Sequence, residues 1–269
     1  MPALTFKKRL GQHHLLEGGL VRPLVEFLRP AGERVVEIGP GGGVLTRELL
    51  AAGAERVVAW EVDPGWAVEV RREVRDPRLA VVVGDALEID WRAVARRGPV
   101  VAAGNLPYNV ATPILERLLP HRREVPRAGF LVQWEVGERL VARPGDAAYG
   151  SLSVLVSAYA EPRILGRVKR GSFRPPSKVD GAFVGLALRE PPLPDEAMPG
   201  FLATVRLAFA RRRKTLRNSL ASGLGRARAG EVVDELAREL GRDPRVRAEE
   251  LGLAELVALH RAIRRAASA

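Results

Sequence analysis

The chain has no cysteine, only four histidines, and few aromatics, with Phe, Trp and Tyr at 5% of its 269 residues. Without cysteine there can be no disulfide framework, thiolate zinc site or Cys nucleophile. The histidines leave little for a metal: His13 and His14 are adjacent, neighbours in sequence rarely chelate one ion, and no third ligand is indicated. No run approaches eighteen uninterrupted apolar residues, and Met1 to Arg9 lacks the apolar segment of a signal peptide. Together these absences predict a soluble cytoplasmic protein that takes its stability from an ordinary hydrophobic core, 46% of residues being hydrophobic. There are no internal repeats.

Positive charge is present in excess. The formal net charge is +11, with a pI near 10.9, and 38 of the 43 basic residues are Arg. From Gly200 onward fifteen basic residues face eight acidic ones, so this quarter of the chain carries much of the excess. Such an imbalance favours a polyanionic partner, and nucleic acid is the usual one.

Periodicity organises the chain. A basic arm, Lys7-Lys8-Arg9, leads to a helix expected over Glu17 to Leu28. Strands are then expected at Val35–Ile38, Val57–Trp60, Leu79–Val83, Val100–Ala103 and Phe130–Val132, with helical stretches between them. Continuous apolar strands separated by helices imply a parallel sheet covered on both faces, a doubly wound α/β domain. Two later strands, Ile164–Val168 and Ala182–Leu188, are close enough to add antiparallel strands at its edge. The proline-rich stretch Glu190 to Asp195 divides a domain of residues 1–189 from a small helical domain, 190–269, with helices expected over 198–221, 230–240 and 248–267.

In such a sheet, ligands bind beyond the carboxyl ends of the strands. The first strand ends in Glu37-Ile38-Gly39-Pro40-Gly41-Gly42-Gly43, but Val44 stands where a dinucleotide fingerprint needs its third glycine. The second ends at Glu61, where a carboxylate can accept both ribose hydroxyls, and the third at Gly84-Asp85-Ala86, where another can accept from an adenine amine. The fourth spills into Asn105-Leu106-Pro107-Tyr108. Pro107 biases Leu106 toward an extended backbone, and an amide, an aimed carbonyl and a phenol ring together suit a planar amino-aromatic group. The order of these strand ends matches S-adenosylmethionine (SAM) methyltransferases rather than dehydrogenases.

The resemblance is closest to the KsgA family of rRNA adenine dimethyltransferases and covers nearly the whole chain. It is carried by Lys8 to Gln12, Glu37 to Gly41, Asn105 to Asn109, Gln133 with Glu135, and Tyr149-Gly150. Two further matches, Phe173-Arg174-Pro175-Pro176-Ser177-Lys178-Val179-Asp180 and Arg212 to Leu220, are specific to the family rather than to methyltransferases at large. The chain departs from the pattern at His14, where an aromatic is usual, at Trp134, where Lys is usual, and at Ser177, where Pro is usual. The resemblance implies a Rossmann-like domain that dimethylates the exocyclic amines of two adjacent adenines near the 3′ end of small-subunit rRNA during subunit maturation, acting as a monomer without metal. It implies that Gly39 and Gly41 approach the methionine moiety of SAM, Glu61 holds the ribose, and Asp85 with Ala86 reads the adenine ring. His13 and Leu15 would cover the cofactor, and Asn105 would contact both ligands. The target base would lie between Tyr108 and Phe173, its amine accepted by the Asn105 side-chain oxygen and the Leu106 carbonyl. Lys7, Lys8 and Arg9, with Arg211, Arg212, Arg213, Lys214 and Arg217, would face RNA phosphates.

Two other functions share these residues. One is a resistance methyltransferase acting on a single adenine of large-subunit rRNA. The other is an RNA-binding assembly or transcription factor that kept the fold and lost the reaction.

Overall fold

The computed structural model describes residues 13–107, 110–211 and 213–268. Of the residues singled out above, Lys7, Lys8, Arg9, Tyr108 and Arg212 lie outside the described set. Contacts divide the chain into two compact units. One runs to Glu138 and resumes over Ala160–Arg189, and the other comprises Arg139–Tyr159 and the chain from Glu190 on.

The first unit opens with β1 (His14–Leu15) and α1 (Arg22–Leu28). It continues through β2 (Arg34–Ile38), α2 (Val44–Ala51), β3 (Arg56–Glu61), α3 (Pro64–Glu73), β4 (Leu79–Val83) and α4 (Trp91–Val94). Then come β5 (Val101–Asn105), α5 (Ala111–Leu118), β6 (Arg127–Gln133) and the start of α6 (Trp134–Val141). After α7 (Ser151–Tyr159) the chain adds β7 (Ala160–Val168), β8 (Phe173–Arg174) and β9 (Gly181–Leu188). Among the described residues the strands form a seven-stranded sheet in the order β4-β3-β2-β5-β6-β9-β7, and β1 pairs with β8 as a separate ribbon. Strands β2 to β6 are mutually parallel, while β9 runs antiparallel to both β6 and β7. The expected mostly parallel sheet with an antiparallel edge is therefore present.

Local chemistry sets the element ends. Asp63 caps α3 by accepting from the Gly65 backbone N–H (3.0 Å), with Pro64 in the first turn, where its missing N–H is harmless. On the sheet, Leu24 and Leu28 of α1 are fully buried, and Gly129 of β6 leaves room for them: a Cβ there would stand 2.6 Å from Leu24. Burial of each such leucine stabilises the fold by roughly 2 kcal/mol.

The second unit holds α7, α8 (Met198–Ala208), α9 (Leu216–Leu224), α10 (Arg226–Leu240) and α11 (Leu253–Ser268). The stretch 139–159, which the sequence reading kept with the sheet, packs here instead. Helix α7 buries nearly all its side chains, so both its faces need cover. The Tyr149 hydroxyl donates to the Leu251 carbonyl (3.0 Å), and its ring meets Phe209 edge-on. The single helix expected over 198–221 is two, α8 and α9. Thr215 caps α9, its hydroxyl accepting from the Asn218 N–H, and Arg211 and Arg213 before it lie in turns. None of the described helices is long and apolar enough to cross a membrane.

Candidate active site

The order of the sheet reverses between β2 and β5: the chain winds outward from β2 to β3 and β4, then returns to β5 on the other side. A crevice opens at such a switch point beyond the carboxyl ends of the two strands. The chain places there the turn Gly39–Gly43, which leads into α2, and Asn105, which ends β5. The strands approach so closely that a Cβ on Gly104 would overlap the Ile38 carbonyl. Gly41 has φ +51°, a left-handed conformation in which a side chain is strained.

His14 fills the cradle over this turn. A Cβ on Gly41 would stand 2.8 Å from its Nε2, and its ring meets Trp66 edge-on at 4.1 Å between centroids. Burial, with His13 adjacent, lowers its pKa to about 4, so the imidazole is neutral at pH 7. Between His14, Gly39 and Asn105 there remains a cavity of about 20 Å³. That is close to the volume of one water and far below that of a nucleoside.

The ribbon β1–β8 holds His14 there. Leu15 pairs with Phe173 and His14 with Arg174, while His13 Nδ1 donates to the Pro175 carbonyl (2.9 Å). Asn105 ties the ribbon to the sheet, its Nδ2 donating to the His13 carbonyl at 2.6 Å. His13 to Leu15, the Phe173 loop and the end of β5, far apart in sequence, are thus one assembly.

Two carboxylates lie beneath. Glu61 is 5% exposed and accepts from the backbone N–H of Asp63 (3.0 Å) and of Gly41 (3.4 Å). Desolvation raises its pKa against those bonds. Glu37, 1% exposed, lines the small cavity and accepts the Thr46 hydroxyl at 2.6 Å. Burial pushes its pKa up to about 7. In sequence Glu37 is one residue of the strand-end motif Glu37 to Gly41, with no role of its own. The signal was available, since an acid inside the apolar strand Val35-Val36-Glu37-Ile38 is one that burial must perturb.

The remaining sequence-selected residues are placed unevenly. Asp85 is exposed and caps the turn Ala86–Glu88, accepting from the Leu87 N–H (2.9 Å), with Ala86 following it at the end of β4. Leu106 is buried, its N–H donating to the Leu131 carbonyl (3.0 Å), and Pro107 accepts from Val110. Phe173 departs from expectation. Its ring is 2% exposed and belongs to the core with Leu15, Leu131 and Phe183, so in this structure it offers no face to a base. In the second unit, Arg211, Arg213 and Lys214 are exposed. Arg217, half exposed, is paired with Asp234 of α10.

A model of the ribosomal RNA adenine dimethylase family matches residues 3–243. The chain belongs to that family. It is 42% identical over 248 residues to the ribosomal RNA small subunit methyltransferase A of Acidithiobacillus ferrooxidans, covering 91% of this chain and 90% of the relative. It is 40% identical over 266 residues to the protein of that name from Thermosynechococcus vestitus, covering 96% and 97%. Among solved structures, a dimethyladenosine transferase from Plasmodium falciparum superposes with a TM-score of 0.74 at 24% identity, over 94% of this chain and 98% of that one. The 23S rRNA methyltransferase ErmE gives 0.70 at 26% identity, over 93% and 99%. The Rossmann-like fold expected from the strand ends is shared with these structures.

Proposed function

We propose that this family member transfers methyl groups from SAM to the N6 amines of two adjacent adenines near the 3′ end of small-subunit rRNA, during maturation of that subunit. The observation that carries the reading is Asn105. Its Nδ2 is committed to the His13 carbonyl, which leaves Oδ1 as the amide's acceptor, and the residue lines the small cavity beside the glycine turn.

The residues present fit SAM. Glu61, buried and held by two backbone N–H groups, is a fixed acceptor for a ribose diol, and Asp85 ends the next strand as an acceptor for an adenine amine. The left-handed Gly41 gives the close backbone approach that a bulky ligand needs. For the ligand to enter, the His14 ring leaves the Gly41 cradle.

When bound, SAM supplies an electrophilic methyl on a sulfonium. The chain's task is positioning and desolvation. The Asn105 oxygen and the Leu106 carbonyl accept the two amine hydrogens, which favours a pyramidal nitrogen whose lone pair faces the methyl. Tyr108 stacks on the flipped base. Phe173, in the core under β1–β8, braces the ribbon rather than walling the base. Water takes the proton released after transfer, so no strong base is needed. Exposed Arg211, Arg213 and Lys214, with Lys7, Lys8, Arg9 and Arg212, bind phosphates.

Small-subunit rRNA is favoured over large-subunit rRNA by the relatives: 40–42% identity to curated small-subunit enzymes against 26% to ErmE. The retained Asn105, Glu61 and Asp85 favour an enzyme over a binding protein. The test is transfer from labelled SAM to undermethylated small subunits and to naked large-subunit rRNA, with mapping of the products. Dimethylation of two adjacent adenines in the small subunit is expected. Methylation of the large-subunit RNA alone, or SAM binding without transfer to either, would overturn the reading.

A further inference from the structure

Beside the catalytic strand lies a second, larger cavity of about 670 Å³, between the end of β6 and the loops that join β7 to β9. Because β6 is parallel to β5, with Leu131 opposite Asn105, Gln133 and Trp134 leave the sheet on the same edge as Asn105. Neighbouring strands are about 4.8 Å apart. The groove is therefore within reach of nucleotides that flank a base held at Asn105.

Its walls are built for a planar anion-bearing chain. Four cations, Arg167, Lys169, Arg170 and Lys178, face two carboxylates, Glu135 and Asp180. Asp180 is committed to holding the frame: its carboxylate accepts from Arg167 Nε (2.8 Å) and from the Arg170 backbone N–H (3.0 Å), and its carbonyl accepts from the Trp134 N–H (2.9 Å). Lys169 Nζ lies 3.7 Å from the same carboxylate. The Arg167 guanidinium carbon sits 4.4 Å from the Trp134 ring centroid while its Nε donates to Asp180, so the group is held between the indole and the carboxylate. Its side chain is 49% exposed and lines the groove.

We infer that the groove is a single-stranded RNA subsite in which a base flanking the target adenine stacks on the Arg167 guanidinium, while Arg170 and Lys178 contact the adjacent phosphates. Bases stack on arginine planes as they do on aromatic rings, and a platform held from two sides loses little freedom on binding. The inference rests on the adenine-methyltransfer reading above, since it takes the flanking nucleotide from that substrate.

Arg167→Lys keeps the charge and removes the plane. In a salt series with undermethylated small subunits, it should bind about ten-fold more weakly with an unchanged salt slope. Its SAM affinity by calorimetry should match wild type. Trp134→Leu, which removes the support, should give a similar loss, and the double variant should be little worse than either single one because both remove one platform. Arg170→Glu with Lys178→Glu should instead flatten the salt dependence, by roughly 0.7 in log–log slope per lost contact. Wild-type binding by Arg167→Lys, or additive losses in the double variant, would overturn the subsite. Methyl transfer by wild type to the same particles is measured alongside. Its absence would overturn the parent reading and the subsite with it, whereas its presence with unchanged Arg167→Lys binding removes the subsite alone.

Discussion

Replacing Glu37 with Gln tests how the site balances charge. The folded chain holds this carboxyl near pH 7, whereas an unfolded chain ionises it near 4.5. That difference corresponds to about 3 kcal/mol in favour of the protonated form. Between those two values the folded state binds more protons than the unfolded one, so this group's contribution to stability falls as pH rises from 4.5 to about 7. Neighbouring His14 runs the other way. Its pKa is lowered from 6.5 to about 4, so its contribution is lost as pH falls through that interval. The two slopes overlap, and the wild-type curve alone separates neither. The difference between Glu37→Gln and wild type does separate them, because Gln keeps an oxygen to accept the Thr46 hydroxyl and has nothing to ionise. Melting across pH 4.5 to 8 should show the variant close to wild type at the acid end and more stable by about 3 kcal/mol at the alkaline end, or roughly 6–12 °C in Tm. A second readout concerns the cofactor. A cationic ligand in the Gly39–Asn105 crevice favours the Glu37 carboxylate, so SAM affinity of wild type should rise with pH up to about 7 and that of the variant should not. A pH-independent stability difference would refute the argument that desolvation governs this carboxyl.

Four other outcomes are expected. Asn105→Ala should lower kcat by about 10²–10³ while SAM still binds by calorimetry, because it removes the aimed acceptor. Retained turnover would remove Asn105 from the reaction. Glu61→Gln should weaken SAM binding by about ten- to a hundred-fold, the size of a lost charge-assisted hydrogen bond, with little change in kcat at saturation. Equal affinity in an isothermal titration would show that this carboxylate does not hold the ribose. Arg213→Glu with Lys214→Glu should reduce particle affinity and its salt slope, by roughly 0.7 per contact, whereas Arg217→Ala should cost less than about 1 kcal/mol of stability because its partner Asp234 is an exposed surface acid. Filter binding at several salt concentrations, with urea melts of the same proteins, measures both.

Much of the architecture is local and therefore legible in the amino-acid order. Apolar runs such as Val35–Ile38 and Phe130–Val132 are strands because both faces of the sheet are covered there, and Asp63-Pro64 starts a helix through chemistry contained in adjacent residues. Sequence order also put a glycine turn, Glu61, Asp85 and Asn105 at the ends of successive strands, and in a parallel sheet those ends must share an edge. Helix α7 was misassigned because its apolar faces say only that it is buried, not which unit covers it.

What the sequence by itself determined is the mostly parallel sheet and the residues at the carboxyl ends of its strands, since each follows from spacing along the chain. Tertiary structure alone decided how those residues are used. It joined His13 to Asn105 and Leu15 to Phe173 across a long separation in sequence, seated His14 on Gly41, drew Phe173 into the core, paired Arg217 with Asp234, and laid Arg167 over Trp134. Burial and partner choice depend on contacts distant in sequence, and the same side chain becomes a ligand group, a brace or a platform according to what folds against it.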